Sequence, residues 1–337
     1  MLAKHDLITV GETVDVTTKD ALQYASSNNT ELNMIHNFQH LVLDHGPYGM
    51  WSQNRTSLRD LKKVFTKWQV DLQDKAWNSL FWNNHDEARA VSRFGNDSVE
   101  YRVVSAKMLA TCLYFMQGTP YIYQGEELGM TNVHFSDIHS YRDIQMWNAY
   151  RELVSEKKLI GEKEFLEDVW AKGRDNCRTP MQWTSDRNAG FTNGKPWIAC
   201  NPNYREINAE QQRKDPDSVW SYYKKIIALR HEYEVIVYGT YKLIDEKNED
   251  LFIYERKWKN ETLLVVCNFT DSCSVYEIPE QYLKRKILLA NIPETKDLLD
   301  DKIVLSPYEA VVYLINKNYE YIQEGKICDF SKKELMN

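Results

Sequence analysis

The stretch Phe81-Trp82-Asn83-Asn84-His85-Asp86-Glu87-Ala88-Arg89 governs the interpretation of the whole chain. Two aromatic residues are followed at once by two amides, a histidine and an aspartate. This order is typical of a buried strand that presents polar groups at its C-terminal end, which is where barrel enzymes carry their chemistry. The same residues also suit a simple turn formed by Asn83, Asn84 and Asp86, with His85 half-buried and hydrogen-bonded. The flanking sequence has to decide between the two interpretations.

The composition is that of an ordinary globular protein with many aromatic residues. With 337 residues the chain can bury a large core, which favours one large domain and a smaller one. Apolar residues make up 43% of the chain and charged residues 27%, both of which are usual proportions. The net charge of -7 is spread along the chain without a basic stripe, so we do not expect nucleic acid as a partner.

Cysteine spacing and apolar run lengths predict a cytoplasmic protein. The six cysteines are scattered, and no two of them form a C-x-x-C pair, which argues against a zinc knuckle and against a disulfide framework. No apolar run reaches membrane-spanning length, and residues 1–6 lack the anatomy of a signal peptide. We therefore expect a protein of the reducing cytoplasm that is neither secreted nor bound to a membrane.

The first part of the chain alternates between strand and helix patterns. Strands are predicted at 6–12, 32–43, 78–84 and 121–125, and helices from about residue 21, at 57–68 and at 100–117. In the helix at 57–68, Leu61, Phe65 and Trp68 fall on one apolar stripe. This alternation is typical of parallel β/α units, and the polar residues at successive strand ends favour a barrel over an open sheet.

The later part of the chain changes character twice. Residues 136–172 are charged and helical in pattern, and we interpret them as an insertion on the face that carries the site. A loop at 173–208 precedes a helix at 219–231, which is predicted to turn Tyr222, Ile226 and Ile227 inward. Short alternating strands are then predicted at 235–244, 251–258, 262–269, 275–278, 286–289, 303–305 and 310–315.

These patterns predict an α/β chain of three parts. The first, at 1–232, consists of β/α units of a barrel and contains the insertion at 136–172. The second is an antiparallel β-sandwich domain at 233–318, and the third is a polar tail at 319–337.

Two carboxylates, Glu12 and Asp86, each stand at the predicted C-terminal end of a strand. Hydrolysis of an acetal needs one carboxyl group that donates a proton to the leaving oxygen and another that stays ionised against positive charge at carbon. Strand ends around one barrel mouth would supply both. The alternative is that Glu12 caps the following helix and Asp86 belongs to a turn, and spacing leaves both interpretations open.

Other catalytic patterns are absent or weak. The chain contains no G-x-G-x-x-G, no phosphate-loop pattern and no H-E-x-x-H, so nucleotide-binding and zincin functions lack support. His36, His40 and His45 could in principle gather a metal ion, but no cysteine or carboxylate cluster accompanies them. We expect them to be solvated or hydrogen-bonded, and we predict neither a metal site nor a cofactor.

Four segments together point to one known family. They are Val10-Gly11-Glu12, residues 77–97 around Asn83-Asn84-His85-Asp86, residues 118–130 from Gly118-Thr119-Pro120 to Gly129-Met130, and residues 173–183 from Gly173-Arg174-Asp175 to Gln182-Trp183. They resemble the oligo-1,6-glucosidase and α-glucosidase branch of the α-amylase family of glycoside hydrolases (family 13). The resemblance runs from about residue 4 to about residue 315. It implies that residues 1–232 form part of a (β/α)8 barrel, with strands five to eight, and that a C-terminal antiparallel β domain follows. It also implies a retaining mechanism on α-linked glucosides.

The resemblance also implies roles for individual residues. Glu12 matches the general acid/base of the family, and Asp86 matches the carboxylate that stabilises the transition state by holding sugar hydroxyls. His85 matches the histidine that binds the sugar beside it. Arg174 resembles the arginine that grips the terminal glucose, since a guanidinium fork suits paired contacts. Arg178 is expected to be structural.

One departure from the family pattern limits the expected activity. The family's nucleophilic aspartate lies at the end of the fourth barrel strand, upstream of the segment that matches Glu12, and has no counterpart in this chain. A retaining enzyme needs a nucleophile and an acid/base about 5–5.5 Å apart. The resemblance therefore implies hydrolysis of terminal α-linked glucose, with α-1,6 oligosaccharides such as isomaltose favoured. We expect this chain to be inactive alone, without the missing N-terminal half of the barrel.

Three hypotheses about the nature of the chain remain open. The chain is a fragment of an ordinary cytoplasmic glucosidase, or one half of a split enzyme completed in trans, or a non-catalytic carbohydrate-binding or interaction protein. The presence of Glu12 argues against the third hypothesis, because a binding module has no need of an acid/base.

Overall fold

The computed structural model describes residues 7–28, 31–293, 295 and 301–316. Helices and short parallel strands occupy the chain up to Tyr238, and antiparallel strands follow from Thr240. Within the described residues, every helix is too short or too polar to span a lipid bilayer.

The barrel region contains four short strands in two parallel pairs. They are β1 (Val10–Glu12), paired with β2 (Met34–His36), and β3 (Ser79–Leu80), paired with β4 (Thr119–Pro120). The Ser79 hydroxyl donates to the Ile35 carbonyl at 3.0 Å and so links β2 to β3. Strands that are parallel and consecutive in the chain need helical crossovers between them, which is the arrangement expected of a barrel wall.

Ten helices accompany these strands in the described residues. They are α1 (Thr18–Ala25), α2 (Leu58–Leu72), α3 (Ala90–Phe94), α4 (Arg102–Tyr114), α5 (Ile144–Ala149), α6 (Glu162–Lys172), α7 (Asp175–Arg178), α8 (Ala209–Gln212), α9 (Val219–Glu232) and α10 (Glu234–Tyr238). Local sequence sets where α1 begins, because Thr17 and Asp20 form a reciprocal capping box. A π-helical segment at Tyr150–Glu156 follows α5.

Seven strands form the β domain in two layers. The strands are β5 (Thr240–Ile244), β6 (Leu251–Trp258), β7 (Glu261–Asn268), β8 (Ser274–Glu277), β9 (Lys286–Ala290), β10 (Lys302–Leu305) and β11 (Ala310–Asn316). Five of them make one sheet in the order β5-β6-β7-β11-β9, and β8 pairs with β10 in a second layer. The predicted antiparallel character is confirmed, since every pairing in both layers is antiparallel.

The interior strand β6 is buried on both faces over most of its length, which explains the apolar run at its start. Phe252 and Tyr254 pack in the core shared with the barrel helices, and Leu251 and Ile253 pack in the core beneath β8 and β10. The Tyr254 hydroxyl donates to the Cys112 carbonyl on α4 at 2.8 Å. The five-stranded sheet therefore packs against the barrel helices on one face and against β8 and β10 on the other.

Several predicted boundaries were wrong in the barrel region. The strand predicted at 32–43 ends at His36, after which the chain forms a 3-10 turn at Gln39–Leu41. The strand predicted at 121–125 lies at Thr119–Pro120 instead, and the strand predicted at 78–84 contains only β3. After β3 the Asn84 side chain accepts from the N–H of Asp86 at 2.7 Å, so the chain turns there and does not continue as a strand.

Further corrections concern the junction between the two parts. The segment predicted as a strand from residue 235 begins with helix α10, and Ile227, predicted to be inward, is 43% exposed. The buried guanidinium of Arg256 explains α10, because Nη1 donates to the Ile236 carbonyl at 3.0 Å and Nε to the Gly239 carbonyl at 3.2 Å. Carbonyls at the end of a helix offer a buried cation the acceptors that it needs.

Some predictions fall outside these observations. Asp6, at the start of the strand predicted at 6–12, and the tail at 319–337 lie outside the described residues, and the described part of that strand is Val10–Glu12. The domain boundaries at 232 and 318 remain predictions.

A buried carboxyl group joins α4, α9 and the turn after β4. Glu126 is 6% exposed and accepts hydrogen bonds at Oε1 from the hydroxyls of Tyr114, at 2.5 Å, and Tyr223, at 2.8 Å. Burial raises the pKa of Glu126 to about 7, against the opposing effect of the two tyrosine hydrogen bonds. The folded protein therefore binds a proton at this site more tightly than the unfolded chain does.

We predict that Glu126→Gln flattens the dependence of stability on pH. In the wild type, the unfolded chain ionises Glu126 from its ordinary pKa of 4.5 upward, whereas the folded protein ionises it only near 7. Stability is therefore lost as the pH rises through this window, by about 3 kcal/mol at most. The free energy of unfolding in urea, measured at about pH 5 and about pH 8, tests this for both proteins.

The matched control is Glu232→Gln, at an exposed residue of α9, which should leave the wild-type pH dependence in place. An equally steep loss of stability in Glu126→Gln would contradict the role assigned to the buried carboxyl group.

Candidate active site

Glu12 and His36 end two neighbouring parallel strands. The two residues are paired in the register of β1 and β2, so their side chains project from the same side of the sheet. Glu12 is exposed and His36 is half-buried. Both line a cavity of about 410 Å³, together with Asn84, His85 and Tyr123 among others.

The segment after β3 turns sharply at the edge of this cavity. Asn83 is buried and donates from Nδ2 to the Cys177 sulfur at 3.2 Å, whereas the Asn84 side chain accepts from the backbone N–H of Asp86 at 2.7 Å. His85 projects outward with a side chain that is 61% exposed, and its Nε2 lies 3.6 Å from Oδ2 of Asp86. The segment therefore forms a turn and also lines the cavity. The two interpretations of this stretch, a strand end that presents polar groups and a simple turn, each describe part of it.

Two arginines converge on Asp86. Arg178 donates from Nη2 to Oδ1 of Asp86 and from Nε to the His85 carbonyl at 2.9 Å. Arg174 contacts the same Oδ1 from Nη1 at 3.5 Å. Arg178, expected to be structural, is therefore the closer partner of Asp86, and the two arginines fix one oxygen of the carboxylate while Oδ2 faces His85.

A second, buried aspartate holds the two arginines. The Asp143 side chain is 1% exposed and receives Nε of Arg174 at both oxygens, at 3.1 and 3.0 Å, with a further bond from Nη2. Nη1 of Arg178 lies 3.8 Å from Asp143. The hydrogen bonds to Asp143 raise the pKa of Arg174, so its guanidinium is a permanent charge beside Asp86.

The backbone around Asp143 is fixed by a further carboxylate. Asp143 is the N-cap of α5 and accepts from the N–H of Gln145, while Oδ2 of Asp175 accepts from the N–H groups of Arg142 and Asp143. Burial raises the pKa of Asp175, although the two backbone hydrogen bonds oppose this. Residues 136–172, predicted to be an insertion at the site, thereby supply the anchor of the arginine pair.

Several buried cationic side chains connect the loops beneath the site through ion pairs and hydrogen bonds. Arg93 bridges Asp44 and Glu87, and Nζ of Lys172 lies 3.4 Å from Oδ2 of Asp44. Burial opposes ionisation of Asp44, but the hydrogen bond and charge of Arg93, with those of Lys172, outweigh it and lower the pKa of Asp44. Arg89, which is 1% exposed, donates to carbonyls on both sides of the site, those of Gln124 and Asn176.

The structure groups the four predicted site residues into two adjoining sets. Glu12 and His85 line the cavity, and Asp86 and Arg174 contact each other beside it. His85 joins the sets through its approach to Asp86. The catalytic and binding roles given to these residues remain predictions.

Sequence reasoning missed Asp143 as a functional residue and treated His36 as one of three equivalent histidines. Aspartate before a helix is a cap signal that Asp143 does carry, but nothing local relates it to Arg174, 31 residues later. His40 lies elsewhere, 1% exposed among aromatic rings, where burial lowers its pKa to about 3. Among the described residues, no group of three or more His, Cys, Asp or Glu side chains is arranged to hold a metal ion.

Family comparisons agree with this architecture. Residues 1–239 match the family described as alpha amylase, catalytic domain, and residues 251–312 match the alpha-amylase SusG C-terminal domain. The chain belongs to the alpha-amylase family. The predicted fold class, a partial (β/α)8 barrel followed by an antiparallel β-sandwich domain, is confirmed by these matches and by the sheet arrangement.

Individual relatives refine the position within the family. The chain is 51% identical over 321 residues to the oligo-1,6-glucosidase of Parageobacillus thermoglucosidasius, which covers 94% of this chain and 56% of that protein. It is 49% identical over 315 residues to the oligo-1,6-glucosidase of Bacillus cereus, again covering 56% of that protein. The chain thus spans just over half the length of these relatives.

A solved structure of another alpha-amylase family member has the same fold. The trehalose-6-phosphate hydrolase of Bacillus licheniformis superposes with a TM-score of 0.88 at 42% identity, covering 94% of this chain and 57% of that one. Relatives with this fold therefore include proteins named for different α-glucosides.

We predict that Asp143→Asn destabilises the arginine pair and the protein. Removing one charge from a buried ion pair leaves the partners uncompensated, and because Arg174 and Arg178 are partly exposed we expect a loss of about 2–3 kcal/mol, below the range for a fully buried pair. The measurement is the free energy of unfolding in urea.

Asp137→Asn serves as the matched control, because Asp137 also caps a helical turn, by accepting from the N–H of His139, but is exposed. It should cost about 1 kcal/mol or less. Equal losses in the two variants would mean that Asp143 acts only as a helix cap.

Proposed function

We propose that this chain carries the acid/base side of a retaining α-glucosidase site that hydrolyses terminal α-linked glucose. The observation that carries the proposal is that Glu12 and His85 line one cavity, with Asp86 next to His85 beside it, in a chain of the alpha-amylase family. Glu12 would donate a proton to the leaving glycosidic oxygen and then accept one from water. Its exposed position at the end of β1 supports access to both substrate and water.

Asp86 would hold sugar hydroxyls in the transition state. Arg174 and Arg178 occupy Oδ1 of Asp86, and Oδ2, on the His85 side, would then accept a hydrogen bond from the sugar. Charged hydrogen bonds of this kind strengthen as positive charge develops on the ring, which is how they lower the barrier. Arg174 would reach the terminal glucose with the part of its guanidinium that Asp143 does not bind.

The nucleophile is proposed to lie outside this chain. The chain spans 56% of the Parageobacillus oligo-1,6-glucosidase, and the family resemblance assigns the nucleophilic aspartate to the part before Glu12. We therefore propose an N-terminal half, encoded upstream or on a separate chain, as the partner that completes the barrel. Reading the nucleotides upstream of Met1 would distinguish these two sources.

The preferred substrate is proposed to be an α-1,6 oligosaccharide such as isomaltose. The names of the relatives that share 51% and 49% identity support this choice. A second candidate is a phosphorylated trehalose, because a relative of 41% identity from Bacillus subtilis is named trehalose-6-phosphate hydrolase. A non-catalytic carbohydrate-binding role is the remaining alternative, and an exposed acid at Glu12 counts against it.

The setting of the enzyme is also part of the proposal. Cys112, Cys177, Cys200, Cys267 and Cys273 are free thiols, which is usual in a reducing cytoplasm. The barrel is proposed to end near residue 232 and the β domain to extend from 233 to 318.

We predict that supplying the N-terminal half creates a glucosidase that depends on Glu12. The complementary N-terminal part of the Parageobacillus oligo-1,6-glucosidase, fused before this chain, should release glucose from isomaltose, whereas this chain alone should not. In the fusion, Glu12→Gln should lower kcat/KM for isomaltose by about 1,000-fold or more, and Asp86→Asn by about 100-fold or more.

The exposed variant Glu232→Gln in the fusion should retain full activity and reports on folding. An aryl α-glucoside with a good leaving group needs less help from an acid, so Glu12→Gln should slow its cleavage less than that of isomaltose. Robust isomaltose turnover that survives Glu12→Gln would overturn the assignment.

A further inference from the structure

Glu12 has a titratable neighbour that the family resemblance does not assign. His36 is the register partner of Glu12 on the adjacent parallel strand, and such partners stand about 4.8 Å apart with their side chains on the same face. Both side chains line the same cavity. The strand pairing therefore fixes an imidazole beside the proposed acid/base.

The hydrogen bonds of Ser79 define which ring nitrogen of His36 carries the proton. The Ser79 hydroxyl donates its only proton to the Ile35 carbonyl at 3.0 Å, so towards Nδ1 of His36, also at 3.0 Å, it is an acceptor. Nδ1 must then be the protonated nitrogen of the neutral ring. Nε2 is left with a lone pair, free to accept a proton or a hydrogen bond.

The surroundings hold this ring in place and favour its neutral form. The ring packs edge-on against Phe81, with ring centres 5.1 Å apart, and against Tyr121, at 4.8 Å. Burial lowers the pKa of His36, and the negative charge of Glu12 acts in the opposite direction. The other titratable side chains that line the cavity are His85, Tyr121 and Tyr123.

We propose that Glu12 and His36 share one proton across the cavity, with Nε2 of His36 as the acceptor. When Glu12 is protonated, its O–H bonds to Nε2; when the proton moves to Nε2, the O–H bond breaks, an N–H bond forms, and a carboxylate–imidazolium pair results. His36 thereby keeps the proton of the acid/base in the site until the leaving oxygen takes it. His36 is a positioning residue in this scheme, because it acts on the substrate only through Glu12.

The catalytic role of the Glu12–His36 pair rests on the proposed acid/base role of Glu12. The interaction between the two side chains can nevertheless be measured without turnover. The experiment is an NMR titration of the imidazole signals of the full chain, with His36→Phe used to assign the His36 resonances. We expect the neutral ring to carry its proton on Nδ1. We expect Glu12→Gln to lower the pKa of His36 further, because the neighbouring negative charge is lost, and the exposed variant Glu232→Gln to leave it unchanged.

Two results would overturn the pairing: a His36 titration that is the same in Glu12→Gln as in Glu232→Gln, or a neutral ring protonated on Nε2. Neither depends on glucosidase activity, so a failure of the proposed function is seen separately in the fusion enzyme. In that fusion, His36→Phe retains the aromatic contacts but removes both nitrogens. It should move the alkaline limb of the kcat/KM profile to lower pH, while KM changes little; an unchanged profile would contradict the role of the pair in catalysis.

Discussion

One buried carboxylate, that of Asp143, supports the geometry of the whole candidate site. Two guanidinium groups, those of Arg174 and Arg178, converge on a single oxygen of Asp86, and like charges placed so close together repel. Asp143 offsets that repulsion from the buried side, where its side chain is 1% exposed and low polarity strengthens the attraction. The arginines are thereby held between two carboxylates, and Asp86 keeps one defined orientation beside the cavity.

The barrel strands alone could not fix the orientation of these side chains. In the barrel region they contain two or three residues each, so the loops that carry the polar residues begin almost where the sheet begins. Buried cations fix these loops instead. Arg89, Arg93 and Lys172 each donate to backbone carbonyls or carboxylates of segments that are distant in the chain. A buried polar network of this kind makes a site rigid, at the cost of desolvating several charges.

The sequence predicts the parts of this arrangement that have a local cause. The apolar stripe of α2 and the doubly buried strand β6 follow from periodicity, and the strand ends at Glu12 and Asp86 follow from apolar runs that stop at polar residues. Long-range partners leave no such trace. Nothing in residues 136–172 indicates that Asp143 binds Arg174. The β-branched sequence of α10 favours a strand, and the reason for a helix there is a long-range hydrogen bond from Arg256 to the Ile236 carbonyl. The register that sets His36 beside Glu12 likewise exists only in the folded sheet.

Glu12 and Asp86 are proposed to assist a reaction whose nucleophile belongs to another segment. The most direct measurement is peptide mass spectrometry of the fusion enzyme after reaction with a fluorinated α-glucosyl fluoride, which expels fluoride and leaves the sugar on the nucleophile because turnover of that intermediate is slow. We predict a sugar-bearing peptide from the added N-terminal half and none from this chain. A sugar attached to Glu12, Asp86 or any other residue of this chain would contradict it.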